Sequence, residues 1–162
     1  MIVVLMGVSG SGKTTIGTLL AERAGAVFAD ADDYHSPANK AKMAAGHPLD
    51  DTDRQPWLET LNALMRGWYA EKKSGVLACS ALKERYRVTL REGMPEGTVH
   101  FVVLNGSAQL IGERLAVRKH EYMNPKLLES QFAALEMPKD GVIVKNDQPP
   151  DEVVSEILAR VK

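Results

Sequence analysis

The eight residues from 7 to 14 constrain this chain more than any other segment. They read Gly-Val-Ser-Gly-Ser-Gly-Lys-Thr and satisfy the pattern G-x-x-x-x-G-K-[ST], which needs a buried strand before it and a helix after it. The apolar, β-branched run Ile2–Met6 predicts that strand, and helical spacing predicts a helix over 14–24. Glycines let backbone N–H groups curl around a phosphate, Lys13 can reach the β and γ oxygens, and Thr14 can ligate Mg²⁺. The pattern therefore predicts a nucleotide site made of Gly7, Val8, Ser9, Gly10, Ser11, Gly12, Lys13, Thr14 and Thr15.

The remaining apolar segments alternate between strand-like and helix-like patterns. Further strands are predicted over 26–29, 76–79, 101–104 and 142–145, and helices over 36–45, 52–73, 83–91, 108–117, 125–135 and 151–161. This alternation predicts an α/β three-layer fold, and a length of 162 residues predicts one domain over 1–162. Trp57 and Trp68 lie on the apolar stripe of the long helix, so we expect both in the core.

Charge and cysteine content exclude several classes of protein. A net charge of -1 gives no global positive field for nucleic acid or an anionic membrane, so neither is expected as a partner. Cys79 is the single cysteine, which excludes an intrachain disulfide and a cysteine-based zinc cluster and favours a reducing compartment. The longest apolar stretch, Met1 to Met6, is far shorter than the roughly 20 residues that span a bilayer. We therefore expect a cytoplasmic protein in which Cys79 is a small apolar residue rather than a nucleophile.

The segment after the third predicted strand bears on how the nucleotide is used. It reads Cys79-Ser80-Ala81, without the acidic residue of hydrolytic ATPases, and the chain contains neither a DxxG nor an NKxD motif of GTPases. These features disfavour a hydrolase and a GTP switch. A kinase for a small molecule fits better, and a nucleotide-binding regulator is the alternative from another class.

A carboxylate cluster follows the second predicted strand, where ligands of parallel α/β sheets bind. Asp30, Asp32 and Asp33 lie within it, ahead of His35. One carboxylate could accept a hydroxyl proton and another could hold the water shell of Mg²⁺. Cations gather after the third strand, where Lys83, Arg87 and Arg91 would form one helical stripe suited to a carboxylate or a phosphate; Ser80 and Arg85 lie in the same region.

Taken together, these segments resemble the gluconokinases, small kinases that phosphorylate D-gluconate. The resemblance spans nearly the whole chain and is carried by 7–13, Asp30-x-Asp32-x-x-His35, 39–43, 46–54, Trp57-Leu58, 79–83, Tyr86-Arg87, Arg114, Arg118 and 130–132. It implies a P-loop NTPase fold with a five-stranded parallel sheet, as in nucleoside monophosphate and shikimate kinases. It also implies an acceptor-binding region at about 30–75 and a mobile lid at about 114–124.

The same resemblance implies roles for individual residues, with ATP and D-gluconate as substrates, Mg²⁺ as cofactor and a homodimer as the assembly. Lys13, Asp32 and Arg118 would be catalytic, and Thr14 with Asp30, through water, would hold the metal; Asp30 and Asp32 could exchange roles. ATP would also meet Arg114, Arg118, Gln148 and Pro149. The acceptor would be bound by Asp32, His35, Lys42, Arg54, Ser80, Lys83 and Arg87. The chain departs from the family pattern at Glu121, where a histidine is usual.

Another small hydroxy acid, such as shikimate, is the nearest alternative acceptor. Shikimate kinases normally carry a run of glycines after the third strand, and Cys79-Ser80-Ala81 lacks it. This difference favours gluconate.

Overall fold

The computed structural model describes residues 1–7, 12–105, 133–139 and 141–161. Its strands are β1 (Ile2–Met6), β2 (Val27–Asp30), β3 (Gly75–Ala78), β4 (Val99–Asn105) and β5 (Val142–Lys145). Its α-helices are α1 (Lys13–Ala24), α2 (Pro37–Ala44), α3 (Asp51–Ala70), α4 (Glu84–Arg91) and α5 (Pro150–Arg160), and a 3₁₀ helix covers Ala31–Tyr34.

The five strands form one parallel sheet in the order β2-β3-β1-β4-β5. All five residues of the central strand β1 are buried, as its continuous apolar run predicts. One face of the sheet packs against α3 and α4 through residues such as Trp57, Leu61 and Leu90. The other face packs against α1 and α5 through a second set that includes Leu20 and Val154. The three-layer fold predicted from the sequence is therefore confirmed.

Local sequence signals set the helix boundaries. Ser36 caps α2, because its hydroxyl accepts the N–H of Asn39 at 3.1 Å. Asp50 begins α3 through a capping box, in which the side chains of Asp50 and Asp53 each accept the other residue's backbone N–H. This helix ends at Ala70 rather than at 73 as predicted, because Lys72 takes a left-handed φ of 57° and turns the chain toward β3.

The two tryptophans are core residues, as predicted. Each is 8% exposed, and both belong to the cluster beneath α3. Trp68 lies directly over Gly75, where any Cβ atom would overlap the indole ring. No helix in the described ranges is both long and apolar enough to cross a membrane.

Several sequence predictions fall outside the described residues. They are Val8 to Ser11 of the phosphate loop, the helix over 108–117, most of the helix over 125–135, and the lid at 114–124 with Arg114, Arg118 and Glu121.

Candidate active site

The described ends of the phosphate loop have the geometry that the motif requires. Gly7 follows β1 with a φ of 145°, and Gly12 precedes α1 with a φ of 93°, a region that favours glycine. Lys13 Nζ donates to the Gly7 carbonyl at 3.0 Å, so the lysine folds back across the loop. Because the N-cap of α1 is a glycine without a side chain, the first-turn N–H groups and the positive end of the helix dipole suit an anion.

The loop after β5 packs beside the phosphate loop. A Cβ on Gly12 would lie 3.2 Å from Nδ2 of Asn146, a side chain that is 3% exposed. The Asn146 N–H donates to the Asn105 carbonyl at 3.1 Å and ties this loop to the end of β4. Among the predicted ATP residues here, Gln148 Nε2 donates to the Lys145 carbonyl at 3.2 Å and Pro149 is the N-cap of α5. Asn146 lies two residues before Gln148 and was not itself predicted to bind ATP.

Thr14 and Asp30 meet where β1 and β2 end. Thr14 Oγ1 donates to Asp30 Oδ2 at 3.1 Å, and the Asp32 N–H donates to Asp30 Oδ1 at 3.0 Å. A hydroxyl and a carboxylate side by side offer the hard oxygen ligands that Mg²⁺ prefers, so these residues fit that ion. The described part of the chain contains no group of three or more His, Cys, Asp or Glu that could hold a metal. Mg²⁺ bound here would take further oxygens from the nucleotide and from water.

Asp30 of β2 pairs with Ala78 of β3, so the acidic loop begins beside the Cys79 side chain. That side chain is 2% exposed, and burial raises its pKa to about 12. Thr15 is exposed on the first turn of α1, and Ser80 is half-buried beside Cys79. The expectation that Cys79 is an apolar core residue is confirmed.

His35 is held in a defined orientation beneath the acidic loop. It is 8% exposed and stacks on Trp57, with ring centroids 4.2 Å apart and planes at 14°. Asn39 Nδ2 lies 3.4 Å from His35 Nδ1 and donates to the Asp53 carbonyl at 2.9 Å. Since an amide nitrogen only donates, Nδ1 accepts and the proton of the neutral ring lies on Nε2. Burial, helped by the positive charge of Arg54, lowers the pKa of His35 and favours this neutral form.

A cation cluster connects the first turns of α3 and α4. Tyr86 donates its hydroxyl to Asp51 Oδ1 at 2.5 Å and accepts from Arg54 Nη1 at 3.1 Å. Arg85 Nη2 lies 2.6 Å from Asp51 Oδ2, and Lys83 Nζ lies 3.9 Å from Asp51 Oδ1. The hydrogen bond from Tyr86, more than the cations, lowers the pKa of Asp51; burial, reinforced by that bond, raises the pKa of Tyr86. Arg54 and Lys83 were predicted site residues and are brought together here.

Asp51, Tyr86 and Asn39 belong to the site although the sequence did not predict a role for them. All three lie in segments that carry the family resemblance, which was the available signal. Residue type alone did not distinguish them from surface polar residues.

Two predicted acceptor-binding residues are engaged elsewhere. Lys42 Nζ lies 2.6 Å from Asp53 Oδ2, and this hydrogen bond raises the pKa of Lys42. Arg87 is 1% exposed; its Nη1 donates to the Ala81 carbonyl at 2.8 Å and its Nη2 to the Glu136 carbonyl at 2.6 Å. In this structure, both side chains stabilise the protein around the site.

The predicted ligand-binding stripe of Lys83, Arg87 and Arg91 is wrong. Lys83 precedes the helix as its N-cap, Arg87 is buried, and Arg91 Nη2 pairs with Glu84 Oε1 at 2.8 Å. The three side chains therefore do not share one exposed face.

Comparisons with known proteins agree with this geometry. A family model described as an AAA domain matches residues 2–138. A probable gluconokinase of Dictyostelium discoideum is 42% identical, over 100% of this chain and 86% of that protein. The thermoresistant gluconokinase of Escherichia coli is 40% identical, over 99% of this chain and 93% of its own length.

The chain belongs to the gluconokinase family. The crystal structure of a gluconokinase from Sinorhizobium meliloti is 41% identical and superimposes with a TM-score of 0.87, covering 98% of this chain and 90% of that one. This family member is therefore an ATP-dependent kinase with a P-loop kinase fold, and the resemblance identified from the sequence is confirmed.

Proposed function

We propose that this enzyme transfers the γ-phosphoryl group of ATP to a hydroxyl of D-gluconate, giving 6-phospho-D-gluconate and ADP. One observation carries the proposal. Three features of the site follow the carboxyl ends of parallel strands or lie at the start of a helix. They are the phosphate loop, the Asp30–Asp32 carboxylates and a cation cluster around Arg54 and Lys83. A kinase for an acid sugar needs these three features together. The relatives named as gluconokinases supply the identity of the acid.

Phosphoryl transfer depends mainly on positioning and on neutralising charge. Lys13 would offset charge on the transferred group. The acceptor hydroxyl oxygen would attack the γ-phosphorus as the bond to the β–γ bridging oxygen breaks, and Asp32 would orient that hydroxyl and accept its proton. Arg118 keeps its predicted role beside the phosphoryl group, and Arg114, Gln148 and Pro149 keep theirs in ATP binding.

Thr14 and Asp30 would hold Mg²⁺, Thr14 directly and Asp30 through water, and the bond from Thr14 Oγ1 to Asp30 Oδ2 at 3.1 Å keeps the two residues together. The ion supplies neutralisation of charge on the phosphate oxygens when bound.

The acceptor would be held by Arg54 and Lys83 at its carboxylate and by His35 and Ser80 at its hydroxyls. His35 suits this role because its neutral ring carries a proton on Nε2 and the stack on Trp57 fixes its plane. The contacts of Lys42 with Asp53, and of Arg87 with two carbonyls, favour supporting roles for those residues.

The setting and assembly of the enzyme are also proposals. A cytoplasmic location follows from its single, buried cysteine and the intracellular nature of its proposed substrates. A homodimer is expected from the family resemblance. Equilibrium sedimentation of the full chain would test the assembly.

The test of the proposed function is ADP release, coupled to an NADH-linked assay, with Mg·ATP and one acceptor at a time. D-gluconate, gluconate epimers, shikimate, glucose and nucleoside monophosphates form the panel, beside an acceptor-free control. Release with D-gluconate far above the other acceptors supports the proposal. A preference for another acid would overturn the substrate while keeping the kinase, and release independent of any acceptor would indicate an ATPase.

A further inference from the structure

Two cations of the proposed acceptor site lie over the same aromatic ring, that of Tyr86. The Arg54 guanidinium lies 5.5 Å from the Tyr86 ring centroid, and Lys83 Nζ lies 5.7 Å from it. Contact with the face of a buried ring favours a cation and limits where its side chain can move. Tyr86 is 6% exposed, so the ring is a fixed support.

The same two cations flank one carboxylate without being bonded to it. Arg54 Nη1 and Lys83 Nζ each lie 3.9 Å from Asp51 Oδ1, which is longer than a hydrogen bond. The close partners of Asp51 are instead the Tyr86 hydroxyl at 2.5 Å and Arg85 Nη2 at 2.6 Å. Asp51 therefore attracts Arg54 and Lys83 while leaving hydrogen-bonding capacity on both.

The local charge favours an anionic ligand. Three cations, Arg54, Lys83 and Arg85, face the one carboxylate of Asp51, which leaves an excess of two positive charges in the cluster. The Arg54 and Lys83 side chains are 32% and 31% exposed, so both remain accessible to a solute. A carboxylate placed between them would accept charge-assisted hydrogen bonds from both.

We propose that Asp51 and Tyr86 are positioning residues, which hold Arg54 and Lys83 as a two-cation clamp for the carboxylate of the acceptor. This inference rests on the proposed function, since it assigns the acid end of the acid sugar to this clamp. Tyr86 carries the greater share, because it supports both cations through its ring and orients Arg54 through its hydroxyl. Asp51 fixes that hydroxyl from the first turn of α3, so the pair also sets the separation of the two helix starts.

The decisive variant is Tyr86→Phe, which keeps the ring and removes the hydroxyl. The matched control is Tyr69→Phe, which removes the hydroxyl of a 46% exposed tyrosine at the other end of α3. Steady-state kinetics would give kcat and the KM for D-gluconate and for ATP. We expect Tyr86→Phe to raise the KM for D-gluconate about tenfold, because Arg54 loses the hydroxyl that accepts its hydrogen bond and orients it. The KM for ATP and the melting temperature should stay close to those of the wild type.

Two results would overturn the clamp. One is a KM for D-gluconate in Tyr86→Phe that matches Tyr69→Phe. The other is an equal rise in both KM values with a lower melting temperature, which would show general damage to the fold. Asp51→Asn should give the same selective rise, and Asp51→Glu should recover part of it.

Calorimetric titration of D-gluconate without nucleotide separates this inference from the proposed function. If the wild type shows no gluconate-dependent turnover, the proposed function is wrong, and the calorimetric binding measurement still tests the clamp. Gluconate binding about tenfold weaker in Tyr86→Phe than in the wild type supports the clamp. Equal binding in both proteins, or none in the wild type, overturns it.

Discussion

The Asp32 side chain is exposed while its backbone is held in place by a hydrogen bond. This combination suits a carboxylate that contacts a substrate. The Asp32 N–H is held by Asp30 Oδ1 at 3.0 Å, so its position depends on the residue beside Thr14. If Asp32 accepts the proton of the acceptor hydroxyl, Asp32→Asn should lower kcat by about 10²-fold or more, because an amide cannot take that proton. The KM for ATP should change little.

The matched control for this variant is Asp33→Asn, the neighbouring exposed carboxylate on the same 3₁₀ helix. It should keep nearly full turnover. Comparable kcat values for the two variants would remove Asp32 from the catalytic role and turn attention to Asp30.

Cys79 lies within the charged end of the sheet and is nevertheless unsuited to chemistry. Burial raises its pKa to about 12, so at pH 8 only about one thiol in 10⁴ is ionised. The native protein should therefore fail to react with Ellman's reagent at pH 8 over minutes, whereas the urea-unfolded chain should release one equivalent. Rapid reaction of the native protein would show that the end of β3 opens readily.

The sequence predicted a site residue correctly only where its role depends on residues close to it in the chain. Lys13 and Thr14 were identified because the motif fixes their offset from the phosphate loop. Trp57 was correctly predicted as core, but its stack on His35 depends on where the 3₁₀ helix packs, which no spacing within α3 encodes. The same holds for Asn39, which orients His35 only because α2 lies against the start of α3.

At the scale of elements, Arg87 joins α4 and the loop before it to a segment about 50 residues further along the chain. It links α4 to the Ala81 carbonyl in the loop after β3 and to the Glu136 carbonyl in the 133–139 segment. Glu136 makes two further hydrogen bonds: its N–H donates to the Leu82 carbonyl at 2.7 Å, and its Oε1 accepts from the Glu84 N–H at 2.8 Å. These contacts surround the loop that carries Ser80 and Lys83, in which Ala81 has a left-handed φ of 44°.

Arg87→Met should therefore destabilise the protein by about 2–4 kcal/mol, because it leaves two inward-facing carbonyls without their donor. Urea unfolding followed by circular dichroism would measure the change. Arg87 also pairs with Glu84, since its Nη2 lies 3.1 Å from Glu84 Oε2. Arg91→Met is the matched control, because Arg91 pairs with the same Glu84 but has a side chain that is 44% exposed, and it should cost less than about 1 kcal/mol. Equal losses would mean that the buried contacts of Arg87 add nothing beyond the pair with Glu84.

The elements themselves were largely predictable, and the role of Arg87 was not. Continuous apolar runs gave all five strands to within two residues, because parallel strands are buried on both faces. Helical spacing placed Arg87 on a stripe with Lys83 and Arg91, but spacing does not reveal what covers a helix. Here the cover includes the 133–139 segment, about 50 residues further along the chain.

At the scale of the whole molecule, the parallel sheet brings the separate motifs to one edge. The phosphate loop follows β1, the acidic loop follows β2, the Ser80–Lys83 loop follows β3 and the Asn146 loop follows β5. Because all strands run the same way, every one of these loops meets at their carboxyl ends. The order β2-β3-β1-β4-β5 puts the acidic loop and the cation-bearing loop on neighbouring strands, so the acceptor side is built on one half of the sheet.

Several titratable groups of the folded protein have a shifted pKa, so acid should destabilise the molecule in two stages. Burial lowers the pKa of His35 and of His100, so the unfolded chain takes up protons first as the pH falls through about 6.5. Hydrogen bonds from Tyr86, Lys42 and Arg91 lower the pKa of Asp51, Asp53 and Glu84. Their stabilisation is present above the ordinary carboxyl pKa of about 4 and is lost as the pH falls through their lower folded values.

Urea unfolding at intervals from pH 8 to pH 3 would test this expectation. The free energy of unfolding should be level from pH 8 to about 7, decline gently through pH 6 and 5, and fall steeply below about pH 4. His35→Gln should lessen the gentle decline to the part due to His100, because a side chain that does not titrate binds no proton in either state, while leaving the steep fall in place. Asp53→Asn should lessen the steep fall and leave the gentle decline unchanged. Stability that rises between pH 7 and 5 would contradict the burial of the two histidines as neutral rings.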